Sequence, residues 1–416
     1  MKNKLTIKKI FSYDVLLTAL AFSMPIHRIS TSIITALLFI KWLSEINKSS
    51  FISSWKKLFV NPIFFLFVFF ILHLIGLSYT SHFQNGLSEL ETKLSLFLFP
   101  IVFLFRSPKS QLKLNYTWIF NALITGLILK SVFSLGVSYG DYSDGKANAF
   151  YYSSLGKDFH PSYFSLYLNL SLSYLIIRYF KTPDQKPFEQ VTSLIIFTFL
   201  AIMIILLSSK AGILGLLINI LIGLFFIIKS KLRVKDRLLF LSSFIILLVF
   251  ILTFPYSIER FIGARNAMTN SSTNEDKTES TASRITIWRN SIQAIKAEPI
   301  WGYGTGSVKE VLHEIEVEND HIISDQRYYD AHNQFLQTYL VVGIPGIMIF
   351  LTFFFLSIKQ AIMRQKLILG IFLGLIILNL MFESMLDRQL GISFIIFFLV
   401  ILIYQPKREM IQSVRL

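Results

Sequence analysis

The chain has 416 residues, 53% of them hydrophobic and 15% aromatic, with only 16% charged and no cysteine. So apolar a composition excludes a soluble globule and defines an all-α, polytopic membrane protein, and the lack of cysteine excludes disulfides, thiol catalysis and cysteine metal sites. The net charge of +15 is spread over many short connectors and not gathered on one face, which excludes nucleic acid as a partner.

In chain order, about twelve apolar segments are each near the length that crosses ~30 Å of hydrocarbon. They fall at 10–26, 29–43, 62–79, 94–105, 114–138, 161–180, 190–208, 211–228, 238–254, 333–356, 367–382 and 389–404. A Lys-rich N-terminus precedes the first, but no small-residue cleavage site follows it, so it reads as an uncleaved helix. With both termini cytoplasmic, the inside connectors collect Lys48, Lys56 and Lys57, then Arg106, Lys109 and Lys113, and then Arg178, Lys181 and Lys186. The cluster Lys229 to Arg237 and the group Lys359, Arg364 and Lys366 follow. An even number of spans then satisfies the positive-inside rule throughout. The organisation expected is about nine helices in 1–254, one large periplasmic loop with amphipathic helices at 255–331, and about three helices in 332–416.

The outer connectors hold the polar residues that need a reason. His27 and Arg28, in the turn after the first span, read as interface anchors, as does Lys93, which follows Glu89 and Glu91. Pro100 interrupts the fourth segment, and Asp141 and Asp144 read as solvated turn residues because no third metal ligand accompanies them. His160 precedes Pro161 at the entrance of the sixth span, where it either joins a site or caps the helix. Lys210, after Ser208 and Ser209, stands between two apolar runs on the outer side. It either snorkels to the interface or presents a fixed positive charge to an anionic group.

The stretch from Arg284 to Gly346 is neither a plain span nor a basic connector. Its first part predicts an amphipathic helix with Ser283 as N-cap and Ile285, Trp288, Ile292 and Ile295 on one face, ended by Pro299. That face suits a membrane surface, with Arg284, Arg289 and Lys296 in water. Arg284 in the first turn of a helix would serve either as a surface cap or to hold an anion. Gly302, Gly304 and Gly306 allow sharp turns or close approach of backbone to a ligand, but no strand precedes them and a Rossmann reading fails. Downstream, His313, Glu314, Glu316, Glu318, Asp320 and His321 form a polar patch without HExxH spacing, so no metal site is expected. The next helix is expected to start at Asp330 or Ala331, placing His332 in its first turn at the water boundary. The helix dipole there favours neutral imidazole, which makes His332 a candidate general base or, alternatively, an interfacial hydrogen-bonding residue.

Taken together, these pieces resemble the O-antigen ligase and polymerase family. The pieces are Lys210 after two serines, Arg284 to Trp288, Pro299 to Gly306, Ala331-His332-Asn333 and Gly343 to Gly346, in order around one large outer loop. The likeness covers about residues 205–404, including a last outer turn with Glu383 and Arg388. It implies a bacterial inner-membrane glycosyltransferase with a GT-C-like helical fold, acting at the periplasmic face without metal or other cofactor. Its donor would be a glycan on undecaprenyl diphosphate and its acceptor lipid A core or another glycan, with membrane lipids around both. In that reading His332 is catalytic and Arg284, Lys210 and Arg289 meet the diphosphate, with His160, Gly304 and Asn333 as further site residues. Lys210 departs from the arginine of many members and loses the planar fork that binds phosphate bidentately. A polymerase or a protein-glycosylating enzyme would share this machinery. A transporter or lipid-linked glycan flippase fits less well, because the large outer loop has no counterpart in the first half and Lys130 is the main charge within a span.

Overall fold

The computed structural model describes residues 12–46, 58–105, 114–181, 186–229, 233–253, 262, 280–319 and 329–405. Among them the regular structure is helical. In chain order the α-helices are α1 (Tyr13–Ser23), α2 (Arg28–Glu45), α3 (Pro62–Gly76), α4 (Phe83–Lys93), α5 (Ser95–Leu104), α6 (Tyr116–Ser143), α7 (Tyr152–Gly156) and α8 (Pro161–Lys181). They continue with α9 (Pro187–Leu207), α10 (Lys210–Lys229), α11 (Val234–Thr253), α12 (Ser280–Ala297), α13 (Val308–Glu318), α14 (Gln334–Met363), α15 (Leu367–Leu380) and α16 (Gln389–Tyr404). Each predicted apolar segment coincides with one of these helices. By length and composition α6, α9, α10, α11 and α14 suffice to cross a membrane, and α1, α3, α5, α15 and α16 are shorter apolar helices. The polar stretch 264–279, Asp320 and His321 lie outside the described residues.

The chain forms two compact units, one of residues 1–41, 111–259 and 405–416 and the other of 42–110 and 260–404. In the first, α8 packs against α6, α9 and α10 and is buried from Pro161 to Phe180 except at Arg178. A helix enclosed all round must satisfy its polar side chains internally. Asn169 Nδ2 donates to the carbonyls of Ser165 and Gly212, both at 2.9 Å, and Asn219 Nδ2 donates to Asn169 Oδ1 at 3.0 Å. Ser173 Oγ donates to Asn219 Oδ1 at 2.7 Å, so α8 and α10 are joined by hydrogen bonds as well as by packing.

In the second unit the enclosed helix is α16, buried from Gly391 to Ile403 and in contact with α5, α15 and α4. Here α14 departs from the continuous span expected of it. It breaks at Val342 (φ −128°, ψ 17°) and Gly343 (φ 58°, ψ −154°), and Pro345 beyond the break has no N–H to return to Val341. The glycine loop repairs this break. Tyr303 N–H donates to the Leu340 carbonyl at 2.8 Å, Gly304 N–H to the Val341 carbonyl at 3.0 Å, and Ile344 N–H to the Ile300 carbonyl at 3.0 Å. Gly304 has φ 82°, and a Cβ there would lie 2.6 Å from the Gly76 carbonyl oxygen, so only glycine passes between α3 and α14. Thr305 completes the seam, its N–H donating to Gly76 O at 3.2 Å and its hydroxyl to His73 O at 2.7 Å.

Candidate functional site

The site grows from three elements of the second unit. The first is α12, which begins at Ser280, three residues before the expected cap, so Arg284 lies in its second turn, where the terminal dipole is already weak. The buried stripe of α12 is Ile287, Asn290, Ser291 and Ala294, spaced three and four apart, whereas Ile292 of the predicted apolar face is exposed. The second element is the entry to α14. Asn333 is its N-cap, accepting from Phe335 N–H at 2.9 Å and Leu336 N–H at 3.2 Å, so His332 precedes the helix and does not sit in its first turn. Asp330 Oδ1 accepts the His332 N–H at 2.9 Å, and His332 holds φ 43°, a left-handed conformation that a non-glycine residue keeps only where its surroundings enforce it. The third element is the turn between α15 and α16, which carries Glu383 and the 3-10 segment Met385–Asp387. Gln334 Oε1 accepts Leu386 N–H at 2.7 Å, and Asn333 Nδ2 donates to Met381 O at 3.2 Å, which locks this turn to the α14 entrance.

Glu383 is the junction. Its carboxylate is buried, with Oε1 2.5 Å from the Arg284 guanidinium and Oε2 3.3 Å from His332 Nδ1. Asp330 Oδ1 is 3.8 Å from the same ring nitrogen. Burial works against a charged ring, but the hydrogen bond to Glu383 and the charges of Asp330 and Glu383 outweigh it. The His332 pKa is raised above its ordinary value, with Arg284 opposing the shift. The dipole argument for a neutral ring is therefore outweighed by two carboxylates.

His332 and Asp330 also form part of the wall of a cavity of about 710 Å³, with Tyr329 beside them, Glu89 and Thr92 from α4, Lys309 and Glu310 from α13, and Asp387 and Arg388. Behind this wall Lys93, expected to anchor at headgroups, is only 1% exposed and bonds Asp387 Oδ1 at 2.5 Å, with Glu89 at 3.8 Å. Burial opposes its charge, yet Asp387 and Glu89 hold its pKa above the ordinary lysine value.

The remaining sequence-predicted residues fall elsewhere. Arg289 is exposed, five residues on from Arg284 and therefore roughly 140° round the helix, away from Glu383. Gly304 belongs to the α14 repair and Asn333 to the cap. Lys210 opens α10 and His160 precedes α8, both in the first unit. The His160 carbonyl accepts from Tyr163 and Phe164, and its Nδ1 accepts from Ser162 N–H at 3.4 Å, so it caps α8. Ser209 Oγ and Ser162 Oγ, 3.2 Å apart, tie the entrances of α10 and α8 together. Sequence reasoning names Asp330 only as a possible helix start, Glu383 only as part of the last outer turn and Glu89 only beside Lys93, and it does not name Asp387. The Asp330-x-His332 spacing, which suits a side-chain turn onto the backbone, is a signal that could have marked Asp330.

An all-helical membrane protein with an arginine, a carboxylate and a histidine in line before a broken helix is the class this arrangement defines. Residues 195–351 match the family model described as O-Antigen ligase, which supports an O-antigen ligase/polymerase family assignment for the chain. Lys210, Arg284, Arg289, Gly304, His332 and Asn333 all lie inside that match, and Glu383 and His160 outside it. The chain is also similar to an uncharacterized protein of Haemophilus influenzae, 26% identical over 345 residues, which cover 79% of each chain.

Proposed function

We propose that this protein is an O-antigen ligase-type glycosyltransferase. It moves a glycan from undecaprenyl diphosphate to a hydroxyl of lipid A core at the periplasmic face of the bacterial inner membrane, with twelve spans and both termini cytoplasmic. The observation that carries this reading is the Arg284–Glu383–His332 chain, two members of which lie inside the family match.

A sugar hydroxyl is a weak nucleophile and needs its proton removed as it attacks. In neutral His332, Nδ1–H donates to Glu383, so Nε2 carries the lone pair and takes that proton. The hydroxyl oxygen bonds to the anomeric carbon, and the bond from that carbon to the diphosphate oxygen breaks with its electron pair on the lipid diphosphate. Arg284 spends part of its fork on Glu383, and its other N–H groups stabilise the charge growing on the leaving diphosphate. A single displacement inverts the anomeric centre, and a product with the donor's configuration would contradict the mechanism.

The test is a deletion strain. Lipopolysaccharide that keeps its core but carries no O-chain supports the ligase, and a single-repeat phenotype assigns the same chemistry to a polymerase. Surface glycans unchanged in every fraction would reject the reading.

A further inference from the structure

The tip of the glycine loop turns an apolar edge outward. Ile300 is 55% exposed and Trp301 62%, and Pro299 before them is exposed as well. A loop tip in water can leave its carbonyls to the solvent. Here three consecutive carbonyls are closed from inside the protein. The Tyr339 hydroxyl donates to Pro299 O at 3.0 Å, Ile344 N–H to Ile300 O at 3.0 Å, and the Tyr79 hydroxyl to Trp301 O at 2.9 Å. Among the described residues, the N–H groups of Ile300 and Trp301 and the Trp301 indole N–H have no acceptor in the protein. The tip therefore presents apolar side chains and donors, and no open acceptor.

Its place on α14 is a second observation. Beyond the break, α14 exposes Ile344, Met348, Leu351, Phe355, Ile358 and Ile362, spaced four and three apart along one face. The helix is long and apolar enough to cross a membrane, so this stripe is its lipid-facing side. From Gln334 to Gly343, before the break, no side chain is exposed to that degree. The stripe stops at the break, and Ile300, bonded to Ile344, takes it up.

We infer that Ile300 and Trp301 form a wedge set into the phospholipid bilayer, at the ester layer of the leaflet nearer His332. The wedge continues the lipid face of α14 and keeps the helix's broken backbone out of hydrocarbon, where a carbonyl such as that of Leu340 or Val341 would find no donor. The ester layer supplies carbonyl and phosphate oxygens, the acceptors that the open N–H groups lack, and it is the level at which tryptophan settles with its ring in apolar surroundings and its N–H among polar ones. The stretch reads as part of a periplasmic loop in sequence, and the wedge puts its tip in the membrane instead. This holds whether or not the protein transfers a glycan.

The chain has no cysteine, so a nitroxide on Ile300→Cys, Trp301→Cys, Met348→Cys or Lys296→Cys marks one position at a time. In vesicles of phosphatidylethanolamine and phosphatidylglycerol, collisions with oxygen, which concentrates in the membrane, and with a nickel chelate, which stays in water, read the depth of each label. The ratio of oxygen to nickel collisions at 300 and 301 should lie well above that at Lys296, an exposed cation of α12, and below that at Met348 on the lipid stripe. Labels at 300 and 301 as open to the nickel chelate as the label at 296 would put the tip in water and overturn the inference. Labels closed to both reagents would overturn it too, by showing a protein surface over the tip, such as a second copy of the chain. Should the cysteine variants fail to fold, wild type and Trp301→Phe are compared in vesicles with and without bromine on the upper acyl chain. Bromination should quench a larger fraction of the wild-type tryptophan fluorescence than of the variant's, and an equal or smaller fraction would reject the wedge.

Discussion

Replacing Glu383 by glutamine separates orientation from simple charge. The amide keeps the shape of the carboxylate, and its oxygen still accepts from Arg284. Its NH2 then faces His332 Nδ1, where the structure places a carboxylate oxygen at 3.3 Å. An N–H donor at that point forces the ring proton onto Nε2, so the nitrogen that must take the acceptor's proton has no lone pair. General-base catalysis contributes about 10²–10⁴-fold, and a wrong tautomer forfeits most of it. We expect the transfer rate at saturating substrates to fall by about 10³, equivalent to roughly 4 kcal/mol of barrier. The pH profile carries a second signature. The reacting ring is neutral, so the wild-type rate rises with pH through the raised His332 pKa and is lost below it. Removing the Glu383 charge removes a cause of that raise and moves the limb to lower pH. A Glu383→Gln enzyme within about threefold of wild type and with an unmoved limb would refute the reasoning.

Arg284→Ala should lower the rate by about 10²–10³-fold through lost stabilisation of the leaving group. It should also move the pH limb upward, opposite to Glu383→Gln, because Arg284 holds the His332 pKa down; rate–pH profiles of the two variants compare the signs. Gly304→Ala places a Cβ 2.6 Å from Gly76 O at φ 82°, and thermal unfolding should show about 2–4 kcal/mol of lost stability. Lys93→Met leaves Asp387 and Glu89 buried without their counter-ion and should cost about 3–5 kcal/mol by the same measurement, with part recovered on adding Asp387→Asn.

The helices were legible because each of the twelve apolar runs coincides with a helix, although by length and composition only α6, α9, α10, α11 and α14 suffice to cross a membrane. His332 and Arg284 were singled out by expected first-turn positions and by the family resemblance; neither holds a first-turn position, yet Glu383 joins the two. Glu383 was not singled out, since it lies 51 residues from His332 and 99 from Arg284, and only packing of the α15–α16 turn onto the α14 entrance brings them together. Lys93 was misjudged for the same cause: its partner Asp387 is 294 residues away, and without it a lysine beside a span reads as an anchor. Helix α4 went unread because its polar sequence resembles a loop until Gly86, Leu90 and Lys93 are seen buried on one side. The glycine loop was recognised as special, but its role in repairing α14 depends on the missing N–H of Pro345 some forty residues on, a pairing no local pattern displays.

The central claim is that His332 and Arg284 carry out glycan transfer, and the direct measurement uses purified wild type, His332→Ala and Arg284→Ala with a glycan on undecaprenyl diphosphate and a core acceptor. Transfer by the wild type, abolished in His332→Ala and reduced by at least about 10² in Arg284→Ala at equal expression, is the predicted result. Undiminished transfer by His332→Ala would contradict it.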